Sequence, residues 1–300
     1  MLGSMGFLAN SALAIGATGA GSLAYGLVEA QAFKVRELEL QLLPTGSQSI
    51  RVLHISDLHI TPAQTRKINW VKSLAKLEPD FVVGTGDFLA HQLAVPAVVE
   101  AMDELLDIPG AYVLGSNDYF APSFKNPFMY FNKNRQIRAE GAALPTGDLV
   151  EELANAGWLD LNNKQSTTVV NGVKIHFRGT DDPHINKDDY AAVAGLFDSD
   201  AFAFGVTHAP YRRVLKSFET DKADLVLAGH THGGQICIPF YGALVTNCDL
   251  PQGQAKGYST FGESGMPLHV SAGVGTSPFA PIRIACRPEA TLITLSSIKS

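Results

Sequence analysis

The chain has 300 residues, of which 46% are hydrophobic and 17% are charged, and its formal net charge is −6. This composition is typical of a globular protein with a sizeable core, and an acidic balance without basic runs argues against a nucleic-acid groove. The three cysteines, Cys237, Cys248 and Cys286, form no Cys-x-x-Cys pair. Neither a cysteine zinc site nor a disulfide framework is therefore predicted.

Residues 1–31 form a hydrophobic N-terminal segment in which Glu29 is the first charged side chain. Residues 7–28 are long enough to span a bilayer as a helix, although polar residues and glycines interrupt them. A signal peptide would carry Lys or Arg before its apolar part, and none is present. Three interpretations stay open: a membrane anchor, an export signal and a helix docked on the domain. The anchor predicts a membrane-associated protein with lipid contact through residues 1–28, whereas the others predict an exported or a soluble cytoplasmic one.

Strands and helices alternate in the first half of the domain that we place at residues 32–300. Apolar spacing predicts a first strand over 33–43. Strand–helix units follow, with strands at 50–55, 81–83 and 111–114 and helices at 64–77 and 95–106. This alternation is typical of parallel strands joined by crossover helices.

The segment 122–146 breaks the alternation, because it mixes polar and aromatic residues without a period. We interpret it as an insertion over the functional site, with a solvated loop as the alternative. After it, Asn171-Gly172 indicates a hairpin. The remaining predicted elements are helices at 149–156, 189–197 and 211–218, strands of a second sheet at 158–161, 167–170 and 173–178, and strands at 201–206, 225–228, 268–271, 282–286 and 290–295.

Metal-competent side chains follow five of the apolar runs. Open parallel sheets bind ligands at the carboxyl ends of their strands, so we expect these side chains to meet at one edge. Mixed carboxylate and imidazole ligands suit Zn, Mn or Fe, and a carboxylate can bridge two ions. The residues are Asp57 and His59, Asp87, Asn117, His208, and His230 with His232.

In this order the residues resemble the motifs of the calcineurin-like metallophosphoesterase superfamily. The superfamily pattern is Asp-x-His, Gly-Asp, Gly-Asn-His-Asp/Glu, a lone His, and Gly-His-x-His. Here it stands as Asp57-Leu58-His59, Gly86-Asp87, Gly115-Ser116-Asn117-Asp118, His208 and Gly229-His230-Thr231-His232. The extended segments 229–235, 271–276 and 286–289 resemble the bacterial membrane-associated phosphodiesterase branch.

The resemblance implies an α/β fold with two facing mixed β-sheets flanked by helices, a four-layer sandwich. It also implies two divalent metal ions, Mn, Zn or Fe, at one end of the sheets. By motif, the first ion would be held by Asp57, His59 and His232 and the second by His208 and His230. Asp87 would bridge the two ions.

The third motif departs from the superfamily pattern. Aligned on Gly115 and Asp118, Ser116 falls at the position of the Asn ligand and Asn117 at that of the catalytic His. We favour Asn117 as the ligand, because a carboxamide oxygen is the more usual donor to such ions, and Ser116 is the alternative. Asn117 is thus both a candidate ligand and the residue at the catalytic position, where the usual proton donor is missing.

The implied activity is that of a metal-dependent phosphohydrolase, a phosphodiesterase in particular, with a phosphoester substrate. Two ions at such a site activate a water for in-line attack on phosphorus. The alternative is a non-catalytic metal-binding or scaffold protein on the same fold, which the altered third motif favours. The sequence leaves the oligomeric state open.

Five further histidines lie outside the motifs. His54, His176 and His269 fall inside predicted strands and are interpreted as structural. His91 and His184 fall in loops. His91 follows Asp87 closely, so it and Asp118 are the alternative proton donors.

Overall fold

The computed structural model describes residues 19–123, 141–238 and 240–299. Residues 19–29 are helical. The α-helices that follow this segment are α1 (Thr65–Lys72), α2 (Val95–Leu106), α3 (Ser116–Tyr119), α4 (Thr146–Asn155) and α5 (Arg212–Thr220). The strands are β1 (Lys34–Leu43), β2 (Ile50–Ile55), β3 (Phe81–Thr85), β4 (Gly110–Val113), β5 (Leu159–Asp160), β6 (Gln165–Val170), β7 (Val173–Thr180), β8 (Phe202–Thr207), β9 (Leu225–Ala228), β10 (Cys237–Ile238), β11 (Gly242–Ala243), β12 (Gly257–Phe261), β13 (Met266–Val270) and β14 (Glu289–Ser297).

The long strands form two mixed six-stranded sheets. The first has the order β1-β14-β2-β3-β4-β5 and the second β12-β13-β9-β8-β7-β6. Strands β2 to β5 are parallel, and so are β7, β8 and β9. The carboxyl ends of these parallel strands therefore open on one edge of each sheet, where ligands bind in such folds.

Apolar side chains join the layers. Between the sheets, the rings of Phe81 on β3 and Phe177 on β7 stack with centroids 5.0 Å apart. Met102 of α2 belongs to the core on the outer face of the first sheet, and Phe218 of α5 to that on the second. The result is helix, sheet, sheet, helix, which confirms the predicted four-layer α/β sandwich.

Several predicted elements differ from the structure. The strand predicted at 158–161 pairs with β4 in the first sheet, not in the second, because Trp158 packs in the core on the outer face of the first sheet and its indole N–H donates to the Ile108 carbonyl. The helix predicted at 189–197 is only a short 3₁₀ turn, Tyr190–Val193. The reason is that the Gly195 N–H, which a helix would pair with a backbone carbonyl, donates to the Asp221 carboxylate instead. Segment 282–286 forms a single β-bridge, Ile236 to Ile284, and no strand.

The Asn171-Gly172 hairpin is confirmed. Strands β6 and β7 pair antiparallel up to Val170 and Val173, with only these two residues between them. Both have positive φ, 48° for Asn171 and 78° for Gly172, which is the geometry of a type I′ turn.

The described part of the N-terminal segment is docked on the domain at its last turn. Arg283 N–H donates to the Gly26 carbonyl at 3.0 Å, and the buried Glu29 carboxylate accepts the N–H of Cys286 at 2.7 Å. In the described ranges, no helix combines the length and apolarity that a membrane crossing needs. The predicted insertion lies largely outside the described residues, which break off at 123 and resume at 141.

Candidate metal centre

The seven side chains singled out by the sequence all follow strands whose carboxyl ends share one edge. Asp57 and His59 follow β2, Asp87 follows β3, and Asn117 lies in α3 after β4. From the second sheet, His208 follows β8, and His230 and His232 follow β9. All seven are buried or half-buried. The facing of the two sheets therefore brings together residues up to 175 positions apart in the chain.

Four of these side chains converge on one point. His59 Nε2 lies 3.2 Å from His232 Nε2, 3.4 Å from Asp87 Oδ2 and 4.0 Å from Asp57 Oδ1. His232 Nε2 lies 3.4 Å from Asp57 Oδ1. Ligands at about 2.1 Å from one ion stand about 3–4 Å from one another, so this group could hold a metal ion.

A second group shares Asp87 with the first. His208 Nε2 lies 3.3 Å from His230 Nδ1 and 3.6 Å from Asp87 Oδ2. The same Oδ2 receives the Asn117 side-chain amide at 2.8 Å, while Asp87 Oδ1 accepts the Asn117 backbone N–H at 2.7 Å. One oxygen of Asp87 thus stands between two pairs of imidazoles, and its other oxygen is held by the backbone.

The backbone at this edge is unusual. Left-handed φ is uncommon outside glycine and is maintained only where surrounding structure enforces it. Five candidate residues adopt it: Asp57 (51°), His59 (43°), Asp87 (56°), His230 (68°) and His232 (50°).

Two glycines allow the loops to close on the site. A Cβ at Gly115 would lie 2.3 Å from Asp87 Oδ1, and one at Gly229 would lie 1.9 Å from Ser56 Oγ. Real Cβ atoms do not approach other atoms so closely, and only glycine fits either position without displacement. These contacts explain in physical terms why glycine stands before Ser116 and before His230.

Backbone carbonyls orient two of the imidazoles. His208 Nδ1 lies 2.6 Å from the Thr85 carbonyl, and His232 Nδ1 lies 3.1 Å from the Gly275 carbonyl. A carbonyl can only accept, so each Nδ1 carries a proton, and in the neutral ring each Nε2 presents its lone pair to the site. This is the arrangement that metal-ligating histidines usually have.

The electrostatics also suit a cation. Burial lowers the pKa values of His59 and His230 well below the usual range and that of His232 to about 3, so these rings are neutral. Burial alone would lower the pKa of His208 too, but the carboxylates of Asp87, Asp182 and Asp57 raise it to about 9. The negative charge that draws a proton to His208 would equally attract a divalent ion.

Two buried cations that the sequence interpretation missed support the ligand loops. Lys67 Nζ donates to the carbonyls of Leu58 at 2.8 Å and His59 at 3.1 Å. Arg283 is fully buried and donates to the carbonyls of Ala272 and Gly275, both at 2.7 Å. Lys67 can be noticed in the sequence, because it lies on the inner face of α1. No local pattern marks Arg283.

The alternative proton donors do not face the group. Both oxygens of Asp118 accept backbone N–H groups, from Phe88 at 2.7 Å, Asp87 at 2.8 Å, Gly115 at 2.9 Å and Leu89 at 3.0 Å. Asp118 therefore joins the loops after β3 and β4. His91 is exposed, and its Nδ1 accepts the Leu93 N–H in a local turn.

His184, which the sequence places in a loop, lies next to the second group in a 3₁₀ turn, Pro183–Ile185. Its ring centroid is 4.2 Å from that of His230, and its Nδ1 lies 3.0 Å from the Tyr211 hydroxyl. The signal was available, because His184 follows β7 just as the motif residues follow their own strands.

The donor atoms of the candidate ligands are of the kinds that bind transition metals. It is made of carboxylate oxygens and imidazole nitrogens, which suit Zn, Mn and Fe. The separations match ligands of a common ion, and glycine contacts and carbonyl hydrogen bonds fix the donors in place.

Comparison with known proteins agrees with this geometry. The family model described as calcineurin-like phosphoesterase matches residues 50–234. The chain belongs to this family of metallophosphoesterases, and it is accordingly a phosphoric ester hydrolase of the metal-dependent class.

Relatives match over most of the chain. The metallophosphoesterase YkuE of Bacillus subtilis is 26% identical over 271 residues, covering 87% of this chain and 84% of that protein. The UDP-2,3-diacylglucosamine pyrophosphatase LpxG of Chlamydia trachomatis is also 26% identical, over 81% of this chain and 83% of its own length. A Bos taurus transmembrane protein with a metallophosphoesterase domain is 25% identical, over 87% and 56%. The structure of phosphopantetheinyl hydrolase from Mycobacterium tuberculosis aligns at a TM-score of 0.44 and 13% identity, covering 77% and 94%.

Proposed function

We propose that the chain is a phosphodiesterase with a dinuclear metal centre. The observation that carries the proposal is the position of Asp87 Oδ2, which lies 3.4 Å from His59 Nε2 and 3.6 Å from His208 Nε2. An oxygen between two imidazole groups is placed to bridge two ions. Asp87 would thus be shared by both ions, while the Asn117 N–H donates to its Oδ1 and holds the carboxylate in place.

The assignment of ligands follows from the two groups. Asp57, His59 and His232 would hold the first ion, and His208, His230 and Asn117 the second. Rotating the Asn117 side chain by half a turn about its last torsion exchanges Nδ2 and Oδ1, which presents an oxygen at the same place. Ser116 makes no such approach to Asp87 in the described contacts, which supports Asn117 over Ser116.

The chain's own residues position the reaction. Two divalent ions, when bound, activate a water and stabilise the charge on the phosphoryl oxygens during in-line displacement. The carbonyls of Thr85 and Gly275 keep the two imidazoles in one tautomer, and Asp118 fixes the loop that carries Asp87. Asn117 stands at the catalytic position but cannot donate a proton, since an amide does not titrate in the working range.

Relatives indicate which phosphoesters to test. LpxG is named for a UDP-diacylglucosamine, so lipid-linked phosphoesters are reasonable candidates for this chain. The relatives labelled transmembrane proteins, together with the uncharged residues 1–28, support a membrane-associated location. Manganese, zinc and iron are the ions to assay, because they suit the donor set.

The test combines metal content with turnover. The purified full chain should contain about two ions and should hydrolyse bis(p-nitrophenyl) phosphate in the presence of Mn²⁺ or Zn²⁺. Asp87→Asn should lower both the metal content and the rate, the latter by about 10²-fold or more, because one carboxylate serves both ions.

Asp224→Asn is the matched control. Asp224 also accepts a backbone N–H, from Ala203 at 2.8 Å, but it precedes β9 and so lies at the opposite edge of the sheet. Normal metal content and turnover in Asp87→Asn would contradict the dinuclear assignment. Full metal content without turnover on any phosphoester would instead support the non-catalytic alternative, which the altered third motif favours.

A further inference from the structure

The hairpin that follows the metal centre carries an exposed apolar tip. Strands β10 and β11 form a two-stranded sheet, and Phe240 near its tip is fully exposed with a φ of 67°. Ile238 and Tyr241 beside it are 48% and 65% exposed. A bulky aromatic side chain on a left-handed backbone in water gains nothing from folding alone, and such exposed apolar groups mark interaction surfaces.

The N-terminal helix presents a second exposed apolar surface. Residues 19–25 are all exposed and uncharged, and they include Leu23 and Tyr25, at 53% and 54% exposure. Within the described helical residues 19–29, Gly26 and Glu29 alone are buried. Residues 1–18, which precede this helix in the sequence, carry no charged side chain either.

One segment joins the two surfaces. On one side, Arg283 and Cys286 donate their N–H groups to Gly26 and Glu29 of the helix. On the other side, the Cys237 N–H donates to the Ile284 carbonyl at 2.8 Å, which attaches the stem of the hairpin. The foot of the helix and the stem of the hairpin are therefore held in a fixed relation.

Basic side chains surround the foot of the helix. Arg287 donates to the carbonyls of Ala32 and Phe33, directly after the helix. Lys34 follows Phe33 in the chain, and Lys256 Nζ lies 3.5 Å from Sγ of Cys286, whose backbone N–H donates to Glu29. Glu289 pairs with Lys34 and Arg36, so Glu289 and Glu29 together offset two of the four positive charges of Lys34, Arg36, Lys256 and Arg287. A local positive excess in a chain of net charge −6 is complementary to an anionic surface.

We propose that the β10–β11 hairpin docks on an anionic lipid bilayer beside the N-terminal segment and holds the metal centre at the level of the headgroups. Aromatic and aliphatic side chains at a tip, an uncharged helix and a basic collar are the combination that binds bilayer interfaces. The hairpin begins five residues after His232, and it returns to Asn247, whose carbonyl lies 3.2 Å from His230 Nε2. Docking the tip would thus orient the site. Docking of the hairpin would occur whichever reaction the site catalyses.

The first test measures whether the tip enters the bilayer. Phe240→Trp is introduced into the full chain, and its fluorescence is recorded with phosphatidylcholine–phosphatidylglycerol vesicles carrying brominated acyl chains. The wild-type chain, with two tryptophans, supplies the background, and Leu196→Trp is the matched control, since Leu196 is 70% exposed elsewhere on the domain. We expect bromine to quench the tryptophan introduced at the tip but not the one introduced in the control variant. Absence of quenching in the vesicle-bound Phe240→Trp protein would overturn the proposal, as would failure of the full chain to bind vesicles.

The second test measures affinity. The double variant Phe240→Ser/Tyr241→Ser should bind the same vesicles about tenfold more weakly or worse, because two buried aromatic side chains are lost. Leu196→Ser should bind like the wild type. Equal binding by the double variant would mean that the N-terminal segment acts alone, which overturns the role of the hairpin. A blue shift of the Phe240→Trp emission that grows with protein concentration without vesicles would show that a second copy covers the tip, which also overturns the proposal.

Hydrolysis of soluble bis(p-nitrophenyl) phosphate is followed in the same preparations. Its rate should be unchanged in the tip variants, since the tip contains no candidate ligand. Failure of docking with activity intact would overturn only the docking proposal. Absence of this activity in the wild type would count against the proposed phosphodiesterase. The vesicle result would still decide whether the hairpin docks.

Discussion

Asn117 shows how one residue can alter the chemistry of a familiar arrangement. Its backbone N–H and its side-chain amide both donate to Asp87, so it lies among the candidate ligands. In the superfamily motif the same position carries an imidazole that can protonate a leaving oxygen. Neither of the two alternative donors expected from the sequence replaces it, because Asp118 is engaged by four backbone N–H groups and His91 forms a local turn.

The rate should therefore depend steeply on the leaving group. General acid help is typically worth about 10²–10⁴-fold, and substrates with basic leaving groups lose most without it. We expect a nitrophenyl diester to be cut far faster than an alkyl diester. The measurement is the slope of log rate against leaving-group pKa, for the wild type and for Ser116→Asn/Asn117→His, which restores the common motif. A flatter slope is expected in the variant, and equal slopes at equal metal content would show that another residue donates the proton.

Lys67 gives a second prediction for a single residue. Its Nζ donates to the carbonyls of Leu58 and His59, so it fixes the loop that carries Asp57 and His59. Lys67→Met keeps the apolar stem and removes the donor. We expect metal affinity to fall by about 10–100-fold, as for other residues that orient ligands.

The matched control for this prediction is Lys72→Met on the same helix. Lys72 is 41% exposed and pairs with Asp103 at the surface. Competition with a chromogenic chelator measures both variants. Equal affinities of Lys67→Met and the wild type would show that the loop holds its shape without the lysine.

At the level of elements, the strand-to-loop junctions determine the site. Each candidate ligand follows a short buried strand, and five of the seven, all except Asn117 and His208, have left-handed φ themselves. Gly229 stands at the most crowded of these junctions, where β9 passes the end of β2. A Cβ there would lie 1.9 Å from Ser56 Oγ and 2.7 Å from Asp57 Oδ2.

Gly229→Ala should therefore disturb both folding and metal binding. Overpacking typically lowers the free energy of unfolding by about 1–3 kcal/mol, and here the displaced atoms include a candidate ligand. We expect that loss in urea unfolding and a metal affinity at least tenfold lower. Gly147→Ala is the control, because nothing lies within 4 Å of its Cβ position in α4. Unchanged metal binding in Gly229→Ala would show that the two loops can separate without cost to the site.

Across the whole molecule, buried histidines also link the two sheets. His54 on β2 and His269 on β13 face each other with their Nδ1 atoms 2.9 Å apart, and His54 Nε2 contacts Thr85 Oγ1 at 2.9 Å. These are the strand histidines that the sequence interpretation treated as structural. Burial lowers the pKa of His269 to about 4 and that of His54 well below its usual range.

A lowered imidazole pKa makes stability fall as the pH falls. The folded state keeps His269 neutral, whereas the unfolded chain takes up a proton below about pH 6.5, so acid favours unfolding from pH 6.5 down to about 4. Between pH 6.5 and 5, the wild type should lose about 2 kcal/mol more than His269→Gln. Urea unfolding with a chelator present measures this. Above about pH 7.5 the difference between the two proteins should not change with pH, because the imidazole is neutral in both states. If the free energies of unfolding of the wild type and His269→Gln fall equally with pH below 6.5, the protein interior accommodates a charged imidazole at position 269.

The order of motifs and the strand that precedes each one were readable from the sequence, because apolar periodicity and glycine placement are local properties of the chain. They singled out Asp57, His59, Asp87, Asn117, His208, His230 and His232 as candidate ligands, and the four-layer fold followed from the resemblance. Short elements were less predictable: β5 joined the other sheet, and 189–197 became a turn, since side chains distant in sequence compete for their backbone groups.

Only the tertiary structure decided the rest. That Asp87 faces both imidazole groups through one oxygen depends on a hydrogen bond from Asn117, which no pattern encodes. The burial of Lys67 and Arg283 depends on which carbonyls the folded loops direct inward. The exposure of Phe240 is likewise a property of the assembled surface, because an apolar residue in sequence is equally consistent with a core. The physical reason is the same in each case: these energies arise between residues that are distant along the chain and become neighbours only when the two sheets pack.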